Sequence, residues 1–268
     1  MKYTDFTGKD VFEDVTTNPS IFVIKNSRQK NNKIKINDRF YIPQDKLNES
    51  IWTFHHPKIL NLKDKIMDEG IMLKDWPNIK IFRGILTGYD KAFIIDENTK
   101  NNLLSADSKN KDITKPLVRG KDLKKYRINY MKLYLILTSI GVPIENYPSI
   151  KGHLDQYQER LQKRYDKGKN WWELRACNYY KEFKKEKIMW GNLSIGPNFA
   201  YCADELYTTA PANFLIGDNL KYLLAILNSK ITFFIFKLIG VKVDSGYGSV
   251  KNLGVDCRKP LFGLRFLF

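Results

Sequence analysis

Basic and aromatic side chains recur together through residues 115–190. The sequence there reads KPLVRGKDLKKYRI, then YPSIKGHLDQYQERLQKRYDKGKNWWELR, then YYKEFKKEKIMW. Cations neutralise phosphates and aromatic faces stack on bases, so this mixture suits nucleic acid. The densest cluster is Arg119, Lys121, Lys124, Lys125 and Arg127. It reads either as a solvated helix face or as a phosphate-contacting patch. Arg160 and Arg164 fall one helical turn apart, where they would lie along a backbone or reach guanine edges. Trp171 and Trp172 are adjacent and therefore point in different directions. One is expected in the core and the other to stack or wedge at a base step, with Trp172 kept as the candidate.

Other chemistries find less support. Glu182-Phe183-Lys184 fits the Glu-x-Lys half of a metal-dependent nuclease, which also needs an upstream carboxylate such as Asp166. His55-His56 has no carboxylate or cysteine partner at ligand spacing. Asn18-Pro19-Ser20-Ile21 lacks the second proline and the aromatic of the Asn/Asp-Pro-Pro-aromatic loop used by amino-methylating DNA methyltransferases, and reads as a turn. No glycine-rich turn passes from a strand into a helix to hold S-adenosylmethionine, because Gly84 and Gly88 lie within an expected hairpin.

The elements that must position these residues are short. Residues 11–15 and 21–24 suggest a hairpin around Thr16-Thr17-Asn18-Pro19-Ser20, and 25–37 a polar loop or exposed edge. Residues 39–42 suggest another strand. Ile59, Leu62 and Ile66 predict a helix over 57–69 that stops at Gly70. Residues 79–87 and 92–96 read as strand, turn and strand. In that hairpin Arg83 and Lys91 are either solvated or face DNA, with Thr87, Gly88 and Tyr89 at the turn. Asn98 is a candidate helix cap, 105–112 an exposed segment and 133–138 a buried strand. Ile150, Leu154, Tyr157, Leu161 and Tyr165 share one face of a single helix. Strands are expected near 188–193, 199–201, 207–209 and 213–216. Asp218 is expected to cap a helix to Leu227, and a second helix follows to Leu238. The sum is an α+β fold of mixed short strands and amphipathic helices.

Composition agrees with a folded, anion-binding chain. Of 268 residues 43% are hydrophobic and 13% aromatic, and 45 basic residues against 29 acidic leave a net charge of +16. That balance implies nucleic acid or a membrane surface as partner. The greasiest run, 231–241, is interrupted by Lys237 and falls short of the ~20 apolar residues a membrane span takes. Cys177, Cys202 and Cys257 are odd in number and far apart, which points to a reducing cytoplasm.

KPLVRGKDLKKY at 115–126, QERLQKR at 158–164, WWELR at 171–175 and LKYLLAILNSK at 220–230 occur in an order that resembles the TaqI-like C-terminal specificity domain. That domain occurs in adenine-specific DNA methyltransferases and in restriction enzymes fused to them. VFEDVTTNPSIFVIKN resembles the last hairpin of the catalytic domain in such enzymes, and IFRGILTGYDKAFIID at 81–96 the opening of the specificity domain. The resemblance spans about residues 10–239 and implies three parts: 1–50 as the remnant edge of a methyltransferase-type domain, 51–240 as the DNA target-recognition domain, and 241–268 as a divergent tail. Gly246-Tyr247-Gly248 resembles the family's continuation and VKNLGVDCRKPLFGLRFLF does not, so a truncated or frameshifted product is expected. The resemblance implies a specificity part without catalytic residues or metal, whose partner is double-stranded DNA. S-adenosylmethionine would be held only by the missing catalytic domain. The expected DNA contacts are Arg83, Lys91, Arg119, Lys121, Lys124, Lys125, Arg160, Arg164 and Trp172. Two alternatives remain: a stand-alone specificity or scaffold subunit that pairs with a separate methyltransferase, and a metal-dependent nuclease.

Overall fold

A computed structural model of the chain describes residues 1–6, 11–12, 19–26, 31–47, 54–76, 78–191, 196–239, 241–243, 246–249 and 265–266. Its first four strands are β1 (Lys2–Asp5), β2 (Ser20–Val23), β3 (Lys33–Ile36) and β4 (Phe40–Pro43), in the sheet order β2-β1-β3-β4. The expected hairpin partner at 11–15 is replaced by β1, which runs antiparallel to β2 with Tyr3 opposite Phe22. Tyr3 also stacks on Phe54 at 4.1 Å, so the aromatic contacts choose the partner. Residues 13–18, including the Asn18-Pro19 turn, lie outside the described residues. The expected polar segment 25–37 contains an inner strand instead. In β3 the alternation Lys-Ile-Lys-Ile buries Ile34 and Ile36 against Ile42.

α1 (Pro57–Glu69) forms as its spacing predicts. Pro57 occupies the first helical position, His56 Nδ1 accepts the Lys58 N–H at 3.3 Å, and Gly70 ends the helix. Leu60 packs under the N-terminal sheet, whereas Ile66 packs into the larger body. β5 (Ile71–Met72) and β6 (Lys80–Arg83) follow. Residues 79–96 do not form a hairpin. After β6 comes a turn at Gly88 (φ 67°), then α2 (Asp90–Phe93) and β7 (Ile94–Ile95), and the two strands enter different sheets. Gly84 lies between them, and a Cβ there would meet the Thr209 carbonyl carbon at 2.5 Å. Gly84→Ala is therefore expected to cost about 2 kcal/mol through forced backbone shifts, read as a lower urea midpoint.

α3 (Glu97–Ala106) is capped by Asp96, whose carboxylate accepts the Thr99 N–H at 2.8 Å, rather than by Asn98. Within the expected exposed segment Asn110 is fully buried, its Nδ2 donating to the Leu103 carbonyl at 2.7 Å. Next are β8 (Thr114–Val118), β9 (Leu123–Lys124), β10 (Arg127–Ile128) and β11 (Leu133–Ile136). The single helix expected over 150–165 is two, α4 (Pro148–Asp155) and α5 (Gln158–Gln162), broken at Gln156 and Tyr157. Ile150, Leu154 and Leu161 are buried as the apolar stripe requires, but Tyr165 lies beyond the break and is fully exposed.

β12 (Lys187–Trp190), β13 (Phe199–Cys202), β14 (Tyr207–Thr208) and β15 (Asn213–Ile216) match the expected strands. One sheet runs β13-β12-β15-β6, all antiparallel; the other runs β14-β8-β11-β7. The first is apolar on both faces. Ile188, Trp190 and Leu215 face a layer made by α1, α6 (Leu220–Leu227) and α7 (Lys230–Ile239). The intervening Met189, Phe214 and Ile216 join the main core, with Leu117 and Leu135 of the second sheet and Leu154 and Leu161 of the helices. Leu220, Leu223 and Leu227 form the buried stripe of α6, each contributing about 2 kcal/mol. Asp218 does not cap this helix. Asn219 takes the cap position with φ 54° and no side-chain bond, while Asp218 accepts from Asn78 Nδ2 at 2.6 Å. The remaining described strands are β16 (Val241–Val243), its partner β17 (Gly246–Ser249), and β18 (Arg265–Phe266), which pairs with β5. The fold is α+β, and no helix among the described residues is long and apolar enough to cross a membrane.

Candidate nucleic-acid interface

Three chain segments run parallel and end together. β14 pairs with β8 in parallel, and Ile85 forms a parallel bridge to Thr209. The Ile85 N–H donates to the Thr208 carbonyl at 2.8 Å, and Thr208 Oγ1 donates to the Val118 carbonyl at 2.8 Å. The loop at 86–91 and the segment at 119–128 therefore leave the body from the same end, starting about 10 Å apart by two strand spacings.

The 119–128 segment is a short 3-10 turn at Gly120–Asp122 that leads into a tight hairpin, not a solvated helix face. β9 and β10 pair antiparallel, with Leu123 opposite Ile128 and Lys124 opposite Arg127. Leu123 is buried and Ile128 packs on the main core, so the alternate pair, Lys124 and Arg127, is left outward. Arg119 donates through Nε to Asp122 at 3.0 Å, and the Asn129 N–H donates to the Asp122 carbonyl at 2.9 Å. Lys121, Lys124, Lys125 and Arg127 are exposed and have no acidic partner among the described residues. Elsewhere lysines pair readily, as in Lys132–Glu97 at 2.8 Å and Lys151–Glu145 at 2.9 Å. Four neighbouring cations left unpaired repel one another, a cost that a polyanion relieves.

The 86–91 loop is pinned from beneath by Arg164. Arg164 Nη1 donates to the Thr87 carbonyl, Nη2 to the carbonyls of Trp171 (2.7 Å) and Glu173 (3.0 Å), and Nε to that of Leu161 (3.3 Å). The guanidinium stands 4.8 Å from the Phe93 ring centroid, and the residue is 7% exposed. Burial pushes its pKa down to about 10, partly opposed by Asp166, so it stays charged at neutral pH. Gly88 permits this arrangement, because a Cβ there would meet Arg164 Cδ at 2.9 Å at a φ of +67°. The expectation that Arg164 reaches a base edge is thus corrected. α5 ends at Gln162, so Arg164 lies beyond the helix and turns inward, while Arg160 within it stays exposed with its guanidinium 5.6 Å from the Tyr89 ring centroid.

Lys91 is exposed on α2, beside the bond between Thr87 Oγ1 and the Asp90 carboxylate. Arg83 is half-buried on β6, and its Nε is sealed from solvent without a hydrogen-bond partner among the described residues. Trp172 is half-buried against the main core with its Nε1 likewise sealed, and it meets Trp171 edge-on at 5.5 Å. It stands as core packing rather than as an exposed wedge. The structure thus brings Lys91 and Arg160 together at one loop and Lys121, Lys124, Lys125 and Arg127 at the adjacent hairpin. It sets Arg83, Arg164 and Trp172 further in. Sequence reasoning missed Tyr126 at the hairpin turn, for which Lys-Lys-Tyr-Arg between two apolar residues was the available signal.

His153 lies on α4 below the same loop, its Nε2 3.1 Å from the Ala92 carbonyl. Burial holds its pKa below the ordinary histidine value, with the Ala92 bond opposing. Between that lowered value and the unfolded value of ~6.5, the unfolded chain binds more protons than the folded one. Stability is therefore full above ~6.5 and falls as the pH drops through the folded value. His153→Gln is expected to flatten the loss between pH 7 and 5, as urea midpoints across that range would show.

Among the described residues the carboxylates of the nuclease reading are held in separate ion pairs. Asp166 pairs with Arg175 at 3.2 Å, Glu182 pairs with Lys185 at 2.8 Å, and Glu182 sits in a short 3-10 turn over Tyr180–Lys184. No three His, Cys, Asp or Glu side chains come together among the described residues. The space beside Gly84 is filled by Thr209 and that beside Gly88 by Arg164.

The model of the TaqI-like C-terminal specificity domain family matches residues 115–256, over half of the chain. The chain belongs to that family. The match begins at β8 and takes in the basic hairpin, both broken helices and α6 and α7. Among solved structures, the type IIL restriction-modification enzyme MmeI in complex with DNA is similar at 11% identity and a TM-score of 0.49, covering 63% of this chain and 23% of that one. The type IIG restriction endonuclease BpuSI is similar at 14% identity and a TM-score of 0.42, covering 68% of this chain and 24% of that one. The chain thus spans about a quarter of the length of either enzyme. No curated protein matches it.

Proposed function

We propose that this chain recognises target sequences in duplex DNA as the specificity part of a bacterial type II restriction-modification enzyme. The observation that carries the reading is the set of four cations in the 119–128 segment that are unpaired among the described residues, within the segment that the family matches. These cations, with Lys91 and Arg160, would hold phosphates and so set the register. Base edges would be read from the loops at the same end of the sheet. On this reading residues 51–240 form the recognition domain and residues 1–50 the edge of a methyltransferase-type domain. That domain would supply adenine-N6 methylation with S-adenosylmethionine, and this chain would hold neither cofactor nor metal. The reaction would run in the cytoplasm.

Selection from a random duplex pool, at low and at physiological salt, tests the reading. An enriched sequence that survives physiological salt supports it. A protein that retains no duplex even at low salt overturns it.

A second reading is favoured by the exposed apolar side chains of Ile21, Phe22, Val23 and Ile24 on and beside the edge strand β2. We infer that this strand adjoins a methyltransferase, in the same chain or in a separate subunit. Ile21→Asp with Val23→Asp should abolish co-elution with a co-expressed catalytic chain; undiminished co-elution rejects the contact.

A further inference from the structure

We propose that Tyr126 stacks its ring on a nucleobase at a step that the hairpin opens in duplex DNA. This inference rests on the DNA-recognition reading above and adds to it a residue and a mode of contact.

The starting observation is a backbone that does not suit its residue. Tyr126 has φ 63°, in the left-handed region that a bulky side chain seldom occupies. With Lys125 it forms the two-residue turn between β9 and β10, a place that favours glycine or asparagine. The turn cannot relax, because the Tyr126 N–H donates to the Phe199 carbonyl of β13 at 2.9 Å. The fold therefore holds an aromatic residue in a strained conformation at the tip of a hairpin.

The ring returns nothing to the folded core. It is 53% exposed and joins none of the three core clusters. Its one described ring contact is the Lys125 ammonium, 5.5 Å from the centroid. Around it stand Lys124, Lys125 and Arg127, exposed and without acidic partners among the described residues. An exposed ring flanked by free cations matches a ligand with flat apolar faces flanked by phosphates. Tyr41, Tyr165 and Tyr222 are more exposed, but of these four tyrosines only Tyr126 is held with a left-handed backbone. Paired duplex shows base edges and hides base faces, so a ring reaches a face only where a step is opened. Stacking of that kind is tolerant of sequence and adds to phosphate contacts without replacing them.

The test compares the whole chain with Tyr126→Phe and Tyr126→Asn on two short duplexes, one fully paired and one with a central mismatch that lowers the cost of opening. Asparagine adopts the left-handed conformation readily, so the unfolding midpoint of Tyr126→Asn should equal or exceed that of the wild type. The wild type and Tyr126→Phe should prefer the mismatched duplex. Tyr126→Asn should bind about tenfold more weakly, lose that preference, and keep the same dependence on salt, since no cation is removed. A folded Tyr126→Asn protein with unchanged affinity and preference overturns the proposal and leaves DNA recognition standing. So does weaker binding accompanied by a shallower salt dependence, which would make the turn a support for the lysines. A wild type that binds neither duplex at low salt overturns DNA recognition itself, and the proposal with it.

Discussion

Arg164→Met is expected to lower stability by about 3 kcal/mol, because it removes the donor of the Thr87 and Trp171 carbonyls, whereas those of Leu161 and Glu173 keep backbone donors. The carbonyls of Thr87, Trp171, Glu173 and Leu161 all accept from this one guanidinium. Methionine fills much of the volume but supplies no proton. For a chain of this size the melting temperature should fall by roughly 8 °C. Arg164→Lys should recover less than half of the loss, since one ammonium cannot reach carbonyls spread around a planar fork. Urea unfolding gives the free energy directly. Because Arg164 is buried, the folded fraction of the methionine variant should bind DNA with an undiminished salt dependence. A shallower dependence would mean that Arg164 does meet phosphate, and the assignment of a purely structural role would fail.

The second large effect is on binding. Neutralising Lys121, Lys124, Lys125 and Arg127 together to glutamine should make the slope of log affinity against log salt shallower by about 3 to 4. Near 0.1 M salt the loss should approach a thousandfold. These side chains are exposed and unpaired among the described residues, so the unfolding midpoint should hold or rise as their mutual repulsion is removed. The two experiments are complementary: one variant loses stability and keeps its salt slope, the other loses slope and keeps stability. If the quadruple variant keeps the wild-type slope, the hairpin does not touch phosphate.

Much of this molecule is written in short-range patterns. Pro57 and Gly70 bracket α1, the stripe of Leu220, Leu223 and Leu227 marks α6, and the apolar runs at 188–190 and 214–216 mark strands buried on both faces. Each depends on neighbours within a turn or on alternate residues, so local sequence suffices. The order of the motifs likewise carried the family, and the charge pointed to a polyanion. The failures share a different cause. Residues 80–83 and 94–95 look like two halves of a hairpin, yet their partners are Asn213–Ile216 and Leu133–Ile136. Nothing within the 79–96 segment encodes those distant partners. Likewise β2 pairs with β1 because Tyr3 meets Phe22 and Phe54, a choice invisible to the turn residues between 11 and 21.

The candidate interface divides along the same line. Composition and spacing determined that the chain is basic, that the cations concentrate at 119–127, and that aromatic residues lie among them. Only the tertiary structure decided which of those cations are free. Arg160 and Arg164 are four residues apart and chemically equivalent, yet the end of α5 at Gln162 falls between them, leaving one in solvent and the other on carbonyls contributed from as far away as Thr87. The parallel run of 85, 207–209 and 114–118 sets the two basic loops at one end of the body, a pairing of segments 90 or more residues apart in sequence. The side-chain types are a local property of the sequence. Their burial and their neighbours are set by long-range packing, which a pattern of single residues does not contain.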